Sequence, residues 1–235
     1  MTRTFVIGDI HGHADRLAEL LDKSKALAEG VELILLGDIG QYSADTHERD
    51  LLTWQLVERL PNCTVLWGNH DYANVDPRHG FKGFDPAFPE VKEIMRRVKP
   101  KFAAERQGYL LTHAGLAPKF APAPGTAIEL IAGVINECEG MAVINDISVR
   151  RGGYSAQGGI LWRDETEPLA DIPQVFGHSS AGLIRRFGAT GQSWCIDVAS
   201  KENNQLAGLW LPEMRVVAVG DDAAILETPW EDQDV

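Results

Sequence analysis

The sequence predicts an α/β fold with a layered sheet core, and three observations carry that prediction. Before His70, a short apolar run stops three times at a glycine followed by polar residues: Phe5 to Ile7 before Gly8-Asp9, Val31 to Leu36 before Gly37-Asp38, and Cys63 to Trp67 before Gly68-Asn69. Leucines at helical spacing fill the intervals between these runs. Near the C-terminus, Ser193 to Val198, Gln205 to Leu211 and Met214 to Gly220 alternate like the strands of a terminal antiparallel meander.

The opening stretch, Thr4 to His13, joins a buried-strand run to chemistry. Gly8 lets the chain turn, after which Asp9 and His11 offer an oxygen and an imidazole nitrogen two residues apart, a pairing that suits a divalent metal. Taken alone, the segment reads equally as an aspartate capping the next helix and a histidine filling the turn. Leu17, Leu20, Leu21 and Leu27 then form one helical face, with Asp15 near the start and Gly30 past the end. Val31 to Leu36 is a second strand. Asp45-Thr-His-Glu48 resembles a capping box, opening a helix with Leu52, Leu56 and Leu60 on one face and Pro61 ending it. Cys63 to Trp67 is a third strand, followed by Gly68-Asn69-His70-Asp71. Three strand-helix units with their polar residues at the strands' C-terminal ends describe a parallel sheet whose site lies along that edge.

Tyr72 to Phe88, rich in Gly, Pro, Asp and aromatics, is expected as an ordered loop bordering the site. Glu90 to Val98 reads as a short helix, Gly108 to Thr112 as a strand ending at His113, and Thr126 to Glu139 as a helix. Arg150 to Trp162 sets four glycines beside two arginines, either a loop that brings backbone amides and guanidinium groups to an anion or a glycine-rich surface loop. Gln174 to Phe176 enters a strand that ends at Gly177-His178.

Length and charge bound the function. At 235 residues, the chain is expected to be one domain over 1–235. The net charge of −12 argues against nucleic-acid and anionic-membrane partners. Half of the excess lies in Asp221 to Val235, which carries six acids and no Lys or Arg and is expected to be disordered. No apolar run approaches the roughly 20 residues of a membrane span, and no signal-peptide core opens the chain, so a soluble cytoplasmic protein is expected. Cys63, Cys138 and Cys195 are odd in number and widely spaced, which indicates neither disulfides nor a zinc knuckle.

Asp9, His11, Asp38, Asn69, His70, His113 and His178 each stand at or just after the end of an expected strand, taking up four of the seven histidines. Such a donor set suits manganese, iron or zinc rather than calcium or magnesium alone. Six ligands with a bridging carboxylate are too many for one catalytic ion, so two ions are expected.

Gly8-Asp-Ile-His11, Gly37-Asp38, Gly68-Asn-His-Asp71, His113 and Gly177-His178 resemble, in order, the motifs of the calcineurin-like metallophosphoesterases. Thr112-His-Ala-Gly115, Gly177-His-Ser179 and Cys195-Ile-Asp197 are most similar to the phosphoprotein phosphatase and symmetrical diadenosine tetraphosphate hydrolase branch. The resemblance implies a layered β-sandwich core flanked by helices, with the site at the C-terminal ends of the strands. It gives Asp9, His11 and Asp38 to a first ion, and Asn69, His113 and His178 to a second bridged by Asp38. His70 would be the general acid, Asp71 would orient it, and a metal-bridging water would be the nucleophile.

Two departures stand out. Ser180 holds the place where phosphodiesterase-type members carry a second histidine, which favours the phosphatase branch. The second motif usually reads Gly-Asp-x-x-Asp-Arg-Gly, whereas this chain has Gln41 and Tyr42 in place of the Asp and the phosphate-gripping Arg. Among replacements, Arg163 ranks first and Arg151 second. The implied function is a dinuclear phosphoric ester hydrolase, manganese first with iron or zinc as alternatives, acting on phosphomonoesters such as phosphoprotein. Dinucleoside polyphosphates or other nucleotides are the alternative. A binding module that kept its metals without turnover is the reading from another class, and the retention of His70 weighs against it.

Overall fold

Alternation along the first strand sets the layers. In β1 (Arg3–Ile7), Phe5 and Ile7 join a cluster on one side of the sheet while Val6 joins another on the opposite side, the period of two that a strand imposes. The computed structural model describes residues 3–179, 182–188, 190–198, 200 and 204–220.

The chain continues through α1 (Ala14–Ser24), β2 (Val31–Leu35), α2 (His47–Glu58), β3 (Cys63–Val65), α3 (Asn69–Tyr72) and α4 (Pro89–Val98). It then forms β4 (Ala104–Arg106), β5 (Tyr109–Leu111), α5 (Ile128–Asn136), α6 (Ala142–Asn145) and β6 (Gln174–Phe176). The last strands are β7 (Arg185–Phe187), β8 (Ser193–Cys195), β9 (Leu206–Leu211) and β10 (Arg215–Val219).

Two mixed sheets result, ordered β10-β9-β1-β2-β3 and β4-β5-β6-β8-β7. In the first, β1, β2 and β3 are parallel and β9 runs antiparallel to both β1 and β10. In the second, β5, β6 and β8 are parallel, with β4 and β7 as antiparallel edges. Val6, Ile34 and Leu209 of the first sheet pack against Leu111, Val175 and Trp194 of the second. This is the sandwich core. The outer face of the first sheet, with Phe5, Leu33 and Trp210, is covered by Leu17 and Leu20 of α1, Trp54 of α2 and Ile94 of α4. On the outer face of the second sheet, Leu110 packs with Ile131 and Ile135 of α5 and with Leu161 and Trp162. Each such large side chain contributes roughly 1.5–3 kcal/mol by leaving water, so the core fixes strand ends that carry polar groups. β1, β2, β3, β5 and β6 all run toward one rim.

Several expectations need correction. The last three apolar runs do not form one meander: β8 belongs to the second sheet, and only β9 and β10 pair as a hairpin on the first. Beyond Ser24 the first helix does not continue, because Lys25 takes a left-handed conformation (φ 59°) and closes it, which leaves Leu27 exposed. Helix α2 does not bury Leu52, Leu56 and Leu60 as its main face. Asp50, Thr53, Trp54 and Val57 are buried instead, and Leu52 is 59% exposed. The helix expected over Thr126 to Glu139 is shorter, Ile128–Asn136. The acidic stretch Asp221 to Val235 and Ser180 lie outside the described residues. Among the described residues, no helix is long and apolar enough to cross a membrane.

Candidate active site

The loops leaving β1 and β2 are stitched together by their backbones. The N–H groups of Ile10 and His11 both donate to the Asp38 carbonyl, at 3.0 and 2.8 Å, and Gly12 N donates to Ile39 O at 2.9 Å. This stitching supports unusual backbone conformations: His11 (φ 49°), Asp38 (φ 47°) and His178 (φ 69°) all lie in the left-handed region, at roughly 1–3 kcal/mol each for non-glycine residues. Two glycines allow close approach. A side chain at Gly68 would meet the backbone and carboxylate of Asp38, and one at Gly177 would meet the Asp9 carboxylate.

Asp38 faces two groups of donors. Its Oδ2 lies 3.7 Å from His11 Nε2 and 3.9 Å from His70 Nε2, whereas its Oδ1 lies 3.6 Å from His113 Nε2. The potential ligand atoms of His11, Asp38 and His70 lie within 4.8 Å of one another, as do those of Asp38, His113 and His178. Asn69 completes the second group, its Oδ1 2.9 Å from both His113 Nε2 and His178 Nδ1, which are 3.1 Å from each other. Asp9 stands beside both groups and accepts the His178 backbone N–H at 3.2 and 3.0 Å. The structure therefore brings His11, Asp38, Asn69, His113 and His178 together directly, with Asp9 one hydrogen bond away.

Chemistry indicates what the second group accommodates. His113 Nδ1 lies 2.9 Å from Leu36 O, and because a carbonyl only accepts, Nδ1 carries the hydrogen. His113 Nε2 then presents a lone pair toward the Asn69 oxygen, which presents lone pairs of its own. Ligand atoms around a cation with bonds of about 2.1 Å sit about 3.0 Å apart along an octahedral edge. A divalent cation fits this cluster. Burial holds His113 down at about 3 and His178 well below the usual imidazole range, which keeps both in the neutral form a metal requires. Burial and then the carboxylates of Asp197 and Asp38 push Asp9 well above the usual carboxylate range, a cost that a cation would relieve.

His70 lies at the open side of the first group. Its backbone N–H donates to Asp38 Oδ1 at 2.9 Å, its Nδ1 is 3.1 Å from the Gln41 carbonyl, and the Phe81 ring lies against it with centroids 4.0 Å apart. Asp71 does not orient the ring by touching it. Its carboxylate instead accepts the N–H groups of Ile39, Gly40 and Gly68 and the Tyr42 hydroxyl at 2.6 Å. The loop that Asp71 holds carries the Gln41 carbonyl that meets the His70 ring.

The two candidate arginines differ in burial. Arg163 is fully buried, with Nε donating to Ala114 O at 2.9 Å and Nη1 to Asp164 O and Glu167 O at 3.0 and 2.8 Å. Its guanidinium lies over Phe176, and burial lowers its pKa to about 10. Such a group ties loops together, with Nη2 left without a hydrogen-bond partner among the described residues. Arg151 is partly exposed, donates to Ser179 Oγ at 2.9 Å, pairs with Asp164 at 2.9 Å, and its charge acts on both His113 and His178. It is the more exposed of the two.

The family model for calcineurin-like phosphoesterases matches residues 2–206. The chain belongs to the calcineurin-like phosphoesterase family. Among curated relatives of this phosphoesterase, the symmetrical bis(5'-nucleosyl)-tetraphosphatase of Pasteurella multocida is 27% identical over 127 residues, covering 49% of this chain and 45% of that protein. The protein of the same description from Janthinobacterium sp. is 29% identical over 137 residues, covering 53% and 48%. The chain thus spans about half the length of the curated relatives it matches. Two solved structures share the fold: one provisionally described as a diadenosine tetraphosphatase (TM-score 0.60, 16% identity, 93% of each chain), and a protein serine/threonine phosphatase from Saccharomyces cerevisiae (TM-score 0.55, 14% identity, 97% of this chain and 81% of that one).

Two participants were given no role from the sequence, although Asp197 stands in the Cys195-Ile-Asp197 motif. Asp197 is buried and raises Asp9 more than any other charge does. It follows an apolar strand like the other site residues, a signal that could have marked it. Asp50, buried on α2, accepts the N–H groups of Gln41 and Tyr42 at 2.9 and 3.0 Å, and nothing in helical periodicity reveals a carboxylate with that task.

Proposed function

We propose that this phosphoesterase is a single-domain, dinuclear metal-dependent phosphoric ester hydrolase whose substrate is a dinucleoside polyphosphate or a related nucleotide. The observation that carries the proposal is Asp38, whose two carboxylate oxygens face separate donor groups, His11 on one side and His113 on the other. Asp9, His11 and Asp38 would hold one divalent cation, and Asp38, Asn69, His113 and His178 the other. Bound cations supply an acidified water and neutralise phosphate charge. The chain's own residues do the rest: His70, as the imidazolium with Nδ1–H on the Gln41 carbonyl, gives its Nε2 proton to the leaving oxygen and is left as the neutral imidazole, Arg151 holds a phosphate oxygen, and Phe81 walls the acid from one side.

The substrate class rests on two supports. The curated relatives carry the name of a tetraphosphatase, and this chain has no guanidinium in its second motif, since Tyr42 is buried with its hydroxyl on Asp71. A bidentate arginine–phosphate contact is worth roughly 1.5–3 kcal/mol, so a substrate with further handles for binding suits the site better than a small monoester. The test is hydrolysis of diadenosine tetraphosphate and p-nitrophenyl phosphate by protein supplied with manganese. A higher kcat/KM on the dinucleotide supports the proposal. Preference for the monoester restores phosphomonoesters as the substrate class, and silence on both points to a binding module.

A further inference from the structure

The second motif has lost its arginine and gained an internal bracket. Four consecutive backbone N–H groups of the loop after β2 are taken by two buried carboxylates: Ile39 (3.2 and 3.1 Å) and Gly40 (3.3 Å) by Asp71, then Gln41 (2.9 Å) and Tyr42 (3.0 Å) by Asp50. Thr46 Oγ1 donates to Asp50 at 2.9 Å and holds that carboxylate in place. Tyr42, at φ 54°, turns its fully buried side chain back under the loop, where its hydroxyl donates to Asp71 Oδ1 at 2.6 Å and accepts from Trp54 Nε1 at 2.7 Å. From this bracketed loop one carbonyl emerges toward the site: Gln41 O, 3.1 Å from His70 Nδ1.

We infer that Tyr42 is a positioning residue for His70. Its hydroxyl ties α2, through Trp54, to Asp71, which fixes Ile39 and Gly40, while Asp50 takes the N–H of the Gln41–Tyr42 peptide whose carbonyl holds the His70 ring. A carbonyl accepts only, so the Nδ1 hydrogen is held on the loop side and Nε2 is turned toward the Asp38 side of the site, 3.9 Å from Oδ2. Gln41 supplies its backbone where the usual motif has an acidic side chain. Without the Tyr42 hydroxyl, Asp71 loses its shortest hydrogen bond and its hold on Ile39 and Gly40 slackens, leaving the Gln41–Tyr42 peptide to Asp50 alone, and small misplacements of a catalytic group are expensive in rate. The inference rests on the proposed role of His70 as proton donor, and its test separates the two.

The test is Tyr42→Phe in the manganese-loaded protein, with phenyl phosphate and p-nitrophenyl phosphate as poor and good leaving groups. Metal content should equal that of the wild type. The rate on the poor leaving group should fall about tenfold, part of the roughly 10²- to 10⁴-fold that general acid catalysis supplies, while the rate on the good one changes far less. In the double variant with His70→Asn the losses should not add, because Tyr42 acts through His70. Equal losses on both substrates, or full additivity, would overturn the inference. A readout without turnover is the proton resonance of His70 Nδ1–H, identified by its disappearance in His70→Asn. Tyr42→Phe should broaden or abolish it, and an unchanged resonance counts against the inference even if no substrate is turned over. Where Tyr42→Phe folds poorly, Trp54→Phe removes the other partner of the same hydroxyl and should give the same pattern in weaker form.

Discussion

His113 and His178 meet nitrogen to nitrogen: Nε2 of one lies 3.1 Å from Nδ1 of the other, and Asn69 Oδ1 is 2.9 Å from each. With the hydrogen of His113 committed to Leu36 O, its Nε2 lone pair faces the Asn69 oxygen inside the fold. A cation turns that repulsion into coordination, so chelator-treated protein should unfold at a lower temperature than protein with manganese. Ligand binding to the folded state alone adds about 2.7 kcal/mol at a hundredfold excess over Kd, readily seen by thermal unfolding with and without metal. Equal melting temperatures would remove the case for a cation in this cluster.

His70→Asn distinguishes proton donor from ligand, since His70 also groups with His11 and Asp38. As the acid, it is dispensable for metal, and the variant should keep its metal content while kcat falls by roughly 10²- to 10⁴-fold. Loss of about one metal equivalent would make His70 a ligand.

The two arginines should separate cleanly. Arg163→Ala strands the carbonyls of Ala114, Asp164 and Glu167 in the interior, at roughly 1–3 kcal/mol for each unsatisfied group, so its urea midpoint should drop sharply. Arg151→Ala should leave the midpoint nearly unchanged and raise KM. The opposite assignment of effects would return Arg163 to the substrate.

Acid should weaken the fold through its buried histidines. Burial lowers His79, His113 and His178, and His79 is held neutral, accepting from Trp162 Nε1 at 2.8 Å with its Nε2 3.0 Å from Asn145 Oδ1. The unfolded chain takes up protons below about pH 6.5 that the folded chain refuses, so this stability is full above that value and is lost as pH falls. Asp9, Asp50 and Asp71, raised chiefly by burial and the last of them to about 6, work in the opposite sense, so the histidine contribution is read as the difference between the wild type and His79→Gln. Urea midpoints in chelator should be lower at pH 6 than at pH 7.5, with a smaller difference in His79→Gln. The same pH dependence in His79→Gln as in the wild type would contradict this.

Most of what positions the site was legible because strands announce themselves: each of Asp9, Asp38, Asn69, His113 and His178 follows an apolar run that ends at a strand terminus. What stayed hidden was polar burial. On α2 the leucine spacing pointed to Leu52, Leu56 and Leu60, yet the inward face carries Asp50 and Trp54, since a carboxylate satisfied by Gln41 and Tyr42 N–H groups is as comfortable inside as a leucine. The burial of Arg163 was hidden for the same reason, as three backbone carbonyls accept from its guanidinium. Three-residue edge strands such as β4 and β7 are too short for any period to register, and the split of β8 from β9 and β10 depends on long-range pairing that local alternation does not encode.

The central claim is that one carboxylate serves two cations, and metal stoichiometry tests it most directly. Protein purified without chelator and supplied with manganese should hold two equivalents per chain, and Asp38→Asn should hold fewer than one, because the same change weakens both donor groups at once. Two full equivalents in Asp38→Asn, or a single equivalent in the wild type, would contradict the account.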